Sequence, residues 1–315
     1  MLALASAAAF ATSGTFARSL LDSGWSPGAA VTSRIAIAVV VLIVPAWVQL
    51  AGRWDLLRRN RKLILAYGVL AVAGPQLCYF NAVQTLSIGV ALLLEYLGLI
   101  LVVLWLWIRN GETPRRWTIV GILLAVAGLI LILDVTGSTD IDPVGVMWGL
   151  GAAVGLALFF VLSAHDNTGL PSLTMAAAGM AVGAVVLAAA GVVGVLPMDF
   201  ADDDVILAGT DLPWWTSVAG LSLIAAAFAY SMGIAATRAL GSKLASFVGL
   251  SEVLFAVIFA WVLVDDVPLT IQLLGGVLIV LGVIAVRYDE MTSGAGNKPD
   301  SDDDAVLVDH LIADS

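Results

Sequence analysis

Two stretches decide the fold, NAVQTLSIGVALLLEYLGLILVVLWLWIRNGETPRRWTIVGILLAVAGLILIL (Asn81–Leu133) and AATRALGSKLASFVGLSEVLFAVIFAWVLVDDVPLTIQLLGGVLIVLG (Ala235–Gly282). Laid together without a gap at an offset of 154 residues, the distance from Ala82 to Ala236, they also pair Leu86 with Leu240, Ala91 with Ala245, Val103 with Val257 and Trp107 with Trp261. The same register pairs Glu112 with Asp266, Pro114 with Pro268, Gly121 with Gly275 and Gly128 with Gly282. Matches at proline and acid positions in the turns argue against a chance pairing of two apolar halves. Five helices in each half would insert the second copy upside down relative to the first, the arrangement from which alternating access about one central site is built.

Outward from these stretches the chain stays apolar. Of 315 residues 61% are hydrophobic and 12% charged, with a mean hydropathy of +1.03, against about 45–50% and about 25% in soluble domains. The apolar residues fall into blocks of roughly 20, the length that crosses the hydrocarbon core at 1.5 Å per residue. Cutting at charges, prolines and polar runs predicts ten helices rather than nine: Ala3–Leu21, Val31–Leu50, Leu63–Val83, Leu86–Ile108, Trp117–Leu133, Pro143–Ser163, Leu173–Leu196, Pro213–Ile234, Leu244–Val264 and Val267–Val286. The expected fold class is an all-α integral membrane protein of ten transmembrane helices in two inverted five-helix repeats, residues 1–134 and 143–287. The first block lacks a basic leader, so it reads as a span and not a signal peptide.

Charge placement sets the expected orientation, because cytoplasmic loops retain Lys and Arg. RWDLLRRNRK (Arg53, Arg58, Arg59, Arg61, Lys62), RNGETPRR (Arg109, Arg115, Arg116) and the predicted loop TRALGSK (Arg238, Lys243) fall on one side of a ten-span chain. The opposite loops carry acids only: Asp134, Asp140 and Asp142; Asp199, Asp202, Asp203, Asp204 and Asp211; Asp265 and Asp266. Both termini are therefore expected in the cytoplasm, in the plasma membrane of a prokaryote, with residues 288–315 a disordered acidic tail. The net charge of −10 comes with no basic patch, which excludes nucleic acid as a partner. Cys78 is the only cysteine, so neither an internal disulfide nor a multi-cysteine metal site exists.

Asn81–Gly98 and Ala235–Glu252, each followed by an acidic turn with proline and a glycine-containing helix, resemble the paired fourth-helix and ninth-helix signatures of the drug/metabolite transporter superfamily, EamA family. VTSRIAIA around Arg34 resembles that family's second-helix start. The first-half string looks most like the branch of threonine and homoserine exporters. The resemblance implies secondary export of amino acids or related metabolites, coupled to protons, with no cofactor. Leu99 and Val253 stand where the family commonly carries a proline, which puts carry-over of its gating in question.

The ionisable residues inside the spans are the candidates for chemistry. A charged carboxylate in mid-bilayer costs roughly 2.5 to 3.5 kcal/mol on insertion scales, so Glu95 and Glu252, near the middles of the fourth and ninth helices, need a reason to be there. Facing a cavity, they can bind protons and accept a substrate ammonium; otherwise they serve as structural partners of other polar groups. Arg34 can take a substrate carboxylate as a fork, or pair with Asp22 or snorkel to the interface. Asn81, Gln84 and Tyr79 can line a pathway or bond between helices. Tyr96, Trp148 and Tyr230 are candidate cavity walls, or members of interface belts. Gly145, Gly149, Gly151 and Gly155 suit close packing within one subunit or in a homodimer, so monomer and homodimer both stay open. The rival class is an intramembrane enzyme such as a lipid or prenyl transferase, faintly suggested by Asp199 and Asp202–Asp204. Their spacing is wrong for Mg²⁺, and no HExxH, GxSxG or phosphate-loop motif is present.

Overall fold

The computed structural model describes residues 1–86, 88–111, 113–132, 142–164, 168–207, 209–264 and 269–292. The chain starts with two ten-residue helices, α1 (Leu2–Ala11) and α2 (Ser13–Asp22), interrupted at Thr12. α3 (Pro27–Leu50) follows, started by Ser26, whose Oγ accepts the Ala29 N–H at 3.3 Å, with Pro27 at the first helical position. Ala51 at φ 48° and Gly52 at φ 79° end it. The short α4 (Asp55–Arg59) leads into α5 (Arg61–Ala66), a π-helical stretch Tyr67–Ala73, and α6 (Gly74–Thr85). α7 (Ile88–Tyr96) and α8 (Gly98–Asn110) are two parts of one span, and α9 (Arg116–Ile132) closes the first half.

The second half opens with α10 (Pro143–Ser163), capped by the Asp142 carboxylate on the Val144 and Gly145 N–H groups, and α11 (Ser172–Val192). Here the all-α expectation needs a correction. The loop after α11 contains a two-stranded antiparallel hairpin, β1 (Val205–Leu207) and β2 (Thr210–Leu212), because Gly209 at φ 73° supplies the turn. α12 (Trp214–Ser222), a second π-helical stretch Leu223–Phe228 and α13 (Ala229–Leu240) form one long span. α14 (Ser242–Gly249) and α15 (Ser251–Val264) divide the next, and α16 (Thr270–Thr292) ends the described chain.

Among the described residues, eight helical stretches are long and apolar enough to cross a bilayer: 27–50, 61–82, 91–109, 143–163, 172–192, 214–240, 242–259 and 270–289. Of the two other predicted spans, 3–21 is split at Thr12, and Arg116–Leu131 is apolar but shorter. Val40, Val44, Val48, Leu123, Val185 and Leu273 all stand exposed on helix faces, which water would not tolerate and lipid requires. Aromatic pairs mark the ends of the bundle: Trp47 on Trp54 and Trp117 on Tyr288 beside the Arg-rich segments, Trp25 on Phe200 and Trp214 at the opposite end.

Two charge readings change. TRALGSK is not a loop: α13 runs through Arg238 to Leu240, and the stop is Gly241 at φ 78°. Arg238 donates to the Leu170 carbonyl, so its charge is satisfied against the helix bundle. The segment predicted as tail from residue 288 begins as helix, which continues to Thr292 because Asp289 is buried against Thr118 and Lys243. The rest of the predicted tail lies outside the described residues, as does His165.

Glycines set the closest helix contacts. A Cβ on Gly121 would lie 2.9 Å from the Gly282 carbonyl, and one on Gly128 would lie 2.6 Å from the Gly275 carbonyl. α9 and α16 thus meet reciprocally, each helix presenting the repeat-related glycines to the other. The α10 glycines pack within the chain, Gly149 against Leu94, Gly151 against Cys78, Gly145 against Thr85 and Leu86, and Gly155 against Pro75.

Candidate functional site

The fourth and ninth predicted helices each tighten at one residue along their length, without a proline, while the backbone stays helical. Leu97, between α7 and α8, has φ −60° and ψ −16°, and its carbonyl accepts from both Ile100 N at 2.9 Å and Leu101 N at 3.2 Å. Leu250, between α14 and α15, has φ −57° and ψ −19°, and its carbonyl accepts from Val253 N at 3.1 Å. Glu95 stands just before the first of these tightened turns, and Glu252 just after the second. A Cβ on Gly98 would lie 2.7 Å from the Ala153 carbonyl, so glycine is what lets this span press against α10.

Both glutamates line a cavity of about 630 Å³ enclosed by α1, α2, α3, α6, α7, α10, α13, α14 and α15, within the range of small-molecule sites. Arg34 enters it from α3 and is only 5% exposed. Its Nη1 donates to Ser13 Oγ at 3.2 Å and its Nη2 to the carbonyl of Ala225, which belongs to the second π-helical stretch. Wide turns leave carbonyls for such partners. The predicted pairing of Arg34 with Asp22 does not occur; Asp22 pairs with Arg18 at 3.6 Å, both about 70% exposed. Arg34, Glu95 and Glu252 line this one cavity together, and Tyr96 shares its wall with them.

Tyr79, Tyr96 and Tyr230 complete the polar part of the wall. Tyr230 packs edge-on against Phe10 and Phe159, and its hydroxyl accepts from Gln76 Nε2 at 3.0 Å. Six of the nine predicted residues thus meet in one space: Glu95, Glu252, Arg34, Tyr79, Tyr96 and Tyr230. Asn81 and Trp148 line a separate pocket of about 160 Å³ instead. Asn81 turns its amide back on its own helix, donating to the Leu77 carbonyl at 2.7 Å. The side chain of Gln84 lies outside the described residues. Gln76, Ser13 and the Phe10, Phe159 and Phe160 rings were missed by sequence reasoning. Only Gln76 carried a signal, a polar residue in an apolar run at the repeat position of Tyr230.

Among the described residues the cavity meets the surface along α2. Its exposed described residues are Gly14, Arg18 and Asp22, one face of α2 at four-residue spacing. At the end near Arg238 and Lys243 the lining residues Ala236, Thr237 and Ala245 are buried.

The EamA-like transporter family matches residues 1–134 and 143–288. No curated protein matches the chain. A solved structure described only as a crystal structure of a protein has a TM-score of 0.75 at 18% identity, covering 91% of this chain and 95% of its own, a likeness of fold. With matches across both halves, the chain belongs to the EamA-like transporter family and is a multi-pass membrane transporter.

Proposed function

We propose that the protein is a secondary carrier that exports amino acids or related zwitterionic metabolites by alternating access, with protons as the coupling ion. The observation that carries this is the placement of a buried guanidinium and two carboxylates in one cavity. Arg34 is the partner for a substrate carboxylate, while Glu95 and Glu252 take the ammonium or the proton. Because both Arg34 terminal nitrogens already hold Ser13 and Ala225, the substrate meets the guanidinium by its remaining N–H groups and not as a free fork. Phe10, Phe159 and Phe160 provide the apolar wall for the rest of the molecule.

Ten spans in two inverted repeats make up the proposed architecture, with α1 and α2 forming the first span and α9 the fifth. The reciprocal glycine contacts of α9 and α16 support it, since antiparallel helices that exchange equivalent residues are related by an axis across their length. The Gln76–Tyr230 bond joins residues 154 apart, the repeat offset, and each half has a π-helical stretch before its third-helix polar residue. With the Arg-rich end in the cytoplasm, both termini lie there and the open rim at Arg18 and Asp22 faces outward. We propose the monomer as the working unit, because the α10 glycines are occupied inside it. The exposed aspartates of the outer loop stand apart from the cavity, so nothing favours the prenyl transferase alternative.

Counterflow in proteoliposomes tests the reading. Labelled amino acid should exchange across the bilayer, faster with a pH gradient, and Glu95→Gln should insert normally but lose the proton-driven component. An unchanged pH-dependent flux in that variant would remove the role given to Glu95, and no exchange of any amino acid would remove the substrate class.

A further inference from the structure

Away from the cavity, three polar side chains from three helices meet at the Arg-rich end. Asp289 on α16 is 2% exposed, and its Oδ2 accepts from Thr118 Oγ1 of α9 at 2.6 Å and faces Lys243 Nζ of α14 at 3.3 Å. Thr118 is fully buried. Burying such a pair costs desolvation that its attraction only partly offsets, so it is a poor device for stability alone and a better one for holding one arrangement against another.

The two sides of this contact differ in kind. α9 and α16 are clamped by the reciprocal glycines into one unit. α14 is a segment of eight residues that starts at a joint, Gly241 at φ 78°, and runs into the tightened helical turn at Leu250. It carries Ala245 and Gly249 of the cavity wall and leads directly to Glu252. Lys243 sits in its first turn, so the ion pair pins the leading end of a jointed wall segment to a rigid pair of helices. In the first half the repeat position of Lys243 is Gly89, so the device is one-sided.

We propose that Lys243, Asp289 and Thr118 form a latch that holds the Arg-rich end of the cavity shut, and that it must release for the cavity to open on that side. The latch rests on the alternating-access reading above. Its test reads accessibility and not transport. In a Cys78→Ala background, Ala245→Cys reports the closed end and Gly14→Cys the open end. A membrane-impermeant thiol reagent is applied to vesicles of either orientation.

Asp289→Asn should speed labelling of the closed-end reporter from the Arg-rich face by roughly fivefold or more, and slow labelling of the open-end reporter from the opposite face, as a population shift requires. The exchanged pair Lys243→Asp with Asp289→Lys should return both rates toward the parent. Labelling that rises at both positions means a loosened fold, and labelling that changes at neither means no latch; either overturns the proposal. If Asp289→Asn does not fold, Lys243→Gln, which leaves the Thr118 bond in place, must give the same opposed changes. A parent protein whose two reporters never exchange accessibility when amino acid is added would sink alternating access itself, whereas reporters that exchange with amino acid but ignore both latch variants would sink the latch alone.

Discussion

Replacing Gly98 by alanine is the smallest change that tests how the fourth predicted helix is held against α10. The added methyl would lie 2.7 Å from the Ala153 carbonyl oxygen and 3.2 Å from Leu156 Cβ, where ordinary contact begins at 3.4 Å. The first neighbour is backbone in the middle of α10 and cannot rotate away, so α8 and α10 must separate by about 0.7 Å, the difference between 3.4 and 2.7. Overpacking of that kind costs about 1–3 kcal/mol, partly countered by the few tenths to 1 kcal/mol that alanine gains over glycine in a helix. The expected result is a net loss of about 1–2 kcal/mol, read as a melting temperature lower by several degrees in detergent. Gly14→Ala is the control, since nothing lies within 4 Å of a Cβ there and the same substitution should leave the melt equal or slightly higher. Separation at Gly98 also displaces the turn that positions Glu95 and Tyr96, so transport should fall even at temperatures where the variant is folded. A Gly98→Ala melt at or above that of the parent would refute the close approach and the argument built on it.

Other variants probe the site and the packing separately. Gln76→Leu strands the buried Tyr230 hydroxyl and should cost about 1–3 kcal/mol, most of it recovered by adding Tyr230→Phe; thermal melts of the four members of that cycle decide, and additive losses would deny the bond. Arg34→Lys keeps the charge but cannot hold Ser13 and the Ala225 carbonyl together, so the apparent KM for amino acid in proteoliposome uptake should rise about tenfold, one charged hydrogen bond's worth, and an unchanged KM would place the substrate elsewhere. Gly128→Leu should separate α9 from α16 and abolish a folded monodisperse protein on size exclusion, while Leu123→Val on the exposed face should not.

What was readable in the sequence is what a single property dictates. Apolar blocks of bilayer length mark the helices long enough to cross a membrane, and glycines at fixed offset in α9 and α16 mark where those two helices touch, because close helix contact accepts few other residues. Three features escaped for physical reasons. The tightened turns at Thr12, Leu97 and Leu250 carry no proline and keep helical dihedrals, so helix propensity does not mark them. The π-helical stretches Tyr67–Ala73 and Leu223–Phe228 have the composition of ordinary span. Arg238, Lys243 and Asp289 read as loop or tail because charge suggests water, yet Arg238 ends on a carbonyl and the other two on each other. At the site, Glu95, Glu252 and Arg34 were visible because charge is rare inside a span. Asn81 misled because an amide can satisfy itself on its own helix, as this one does.

The absence of proline at Leu99 and Val253 leaves both spans helical through the tightened turns at Leu97 and Leu250. Gly98 against the α10 backbone, and Gly249 with Phe160 3.1 Å from a notional Cβ, set how closely each span lies against its neighbour. Glu95 stands just before the first tightened turn and Glu252 just after the second, so in the proposed mechanism each glutamate moves with the span that carries it, without requiring a hinge residue of any special type.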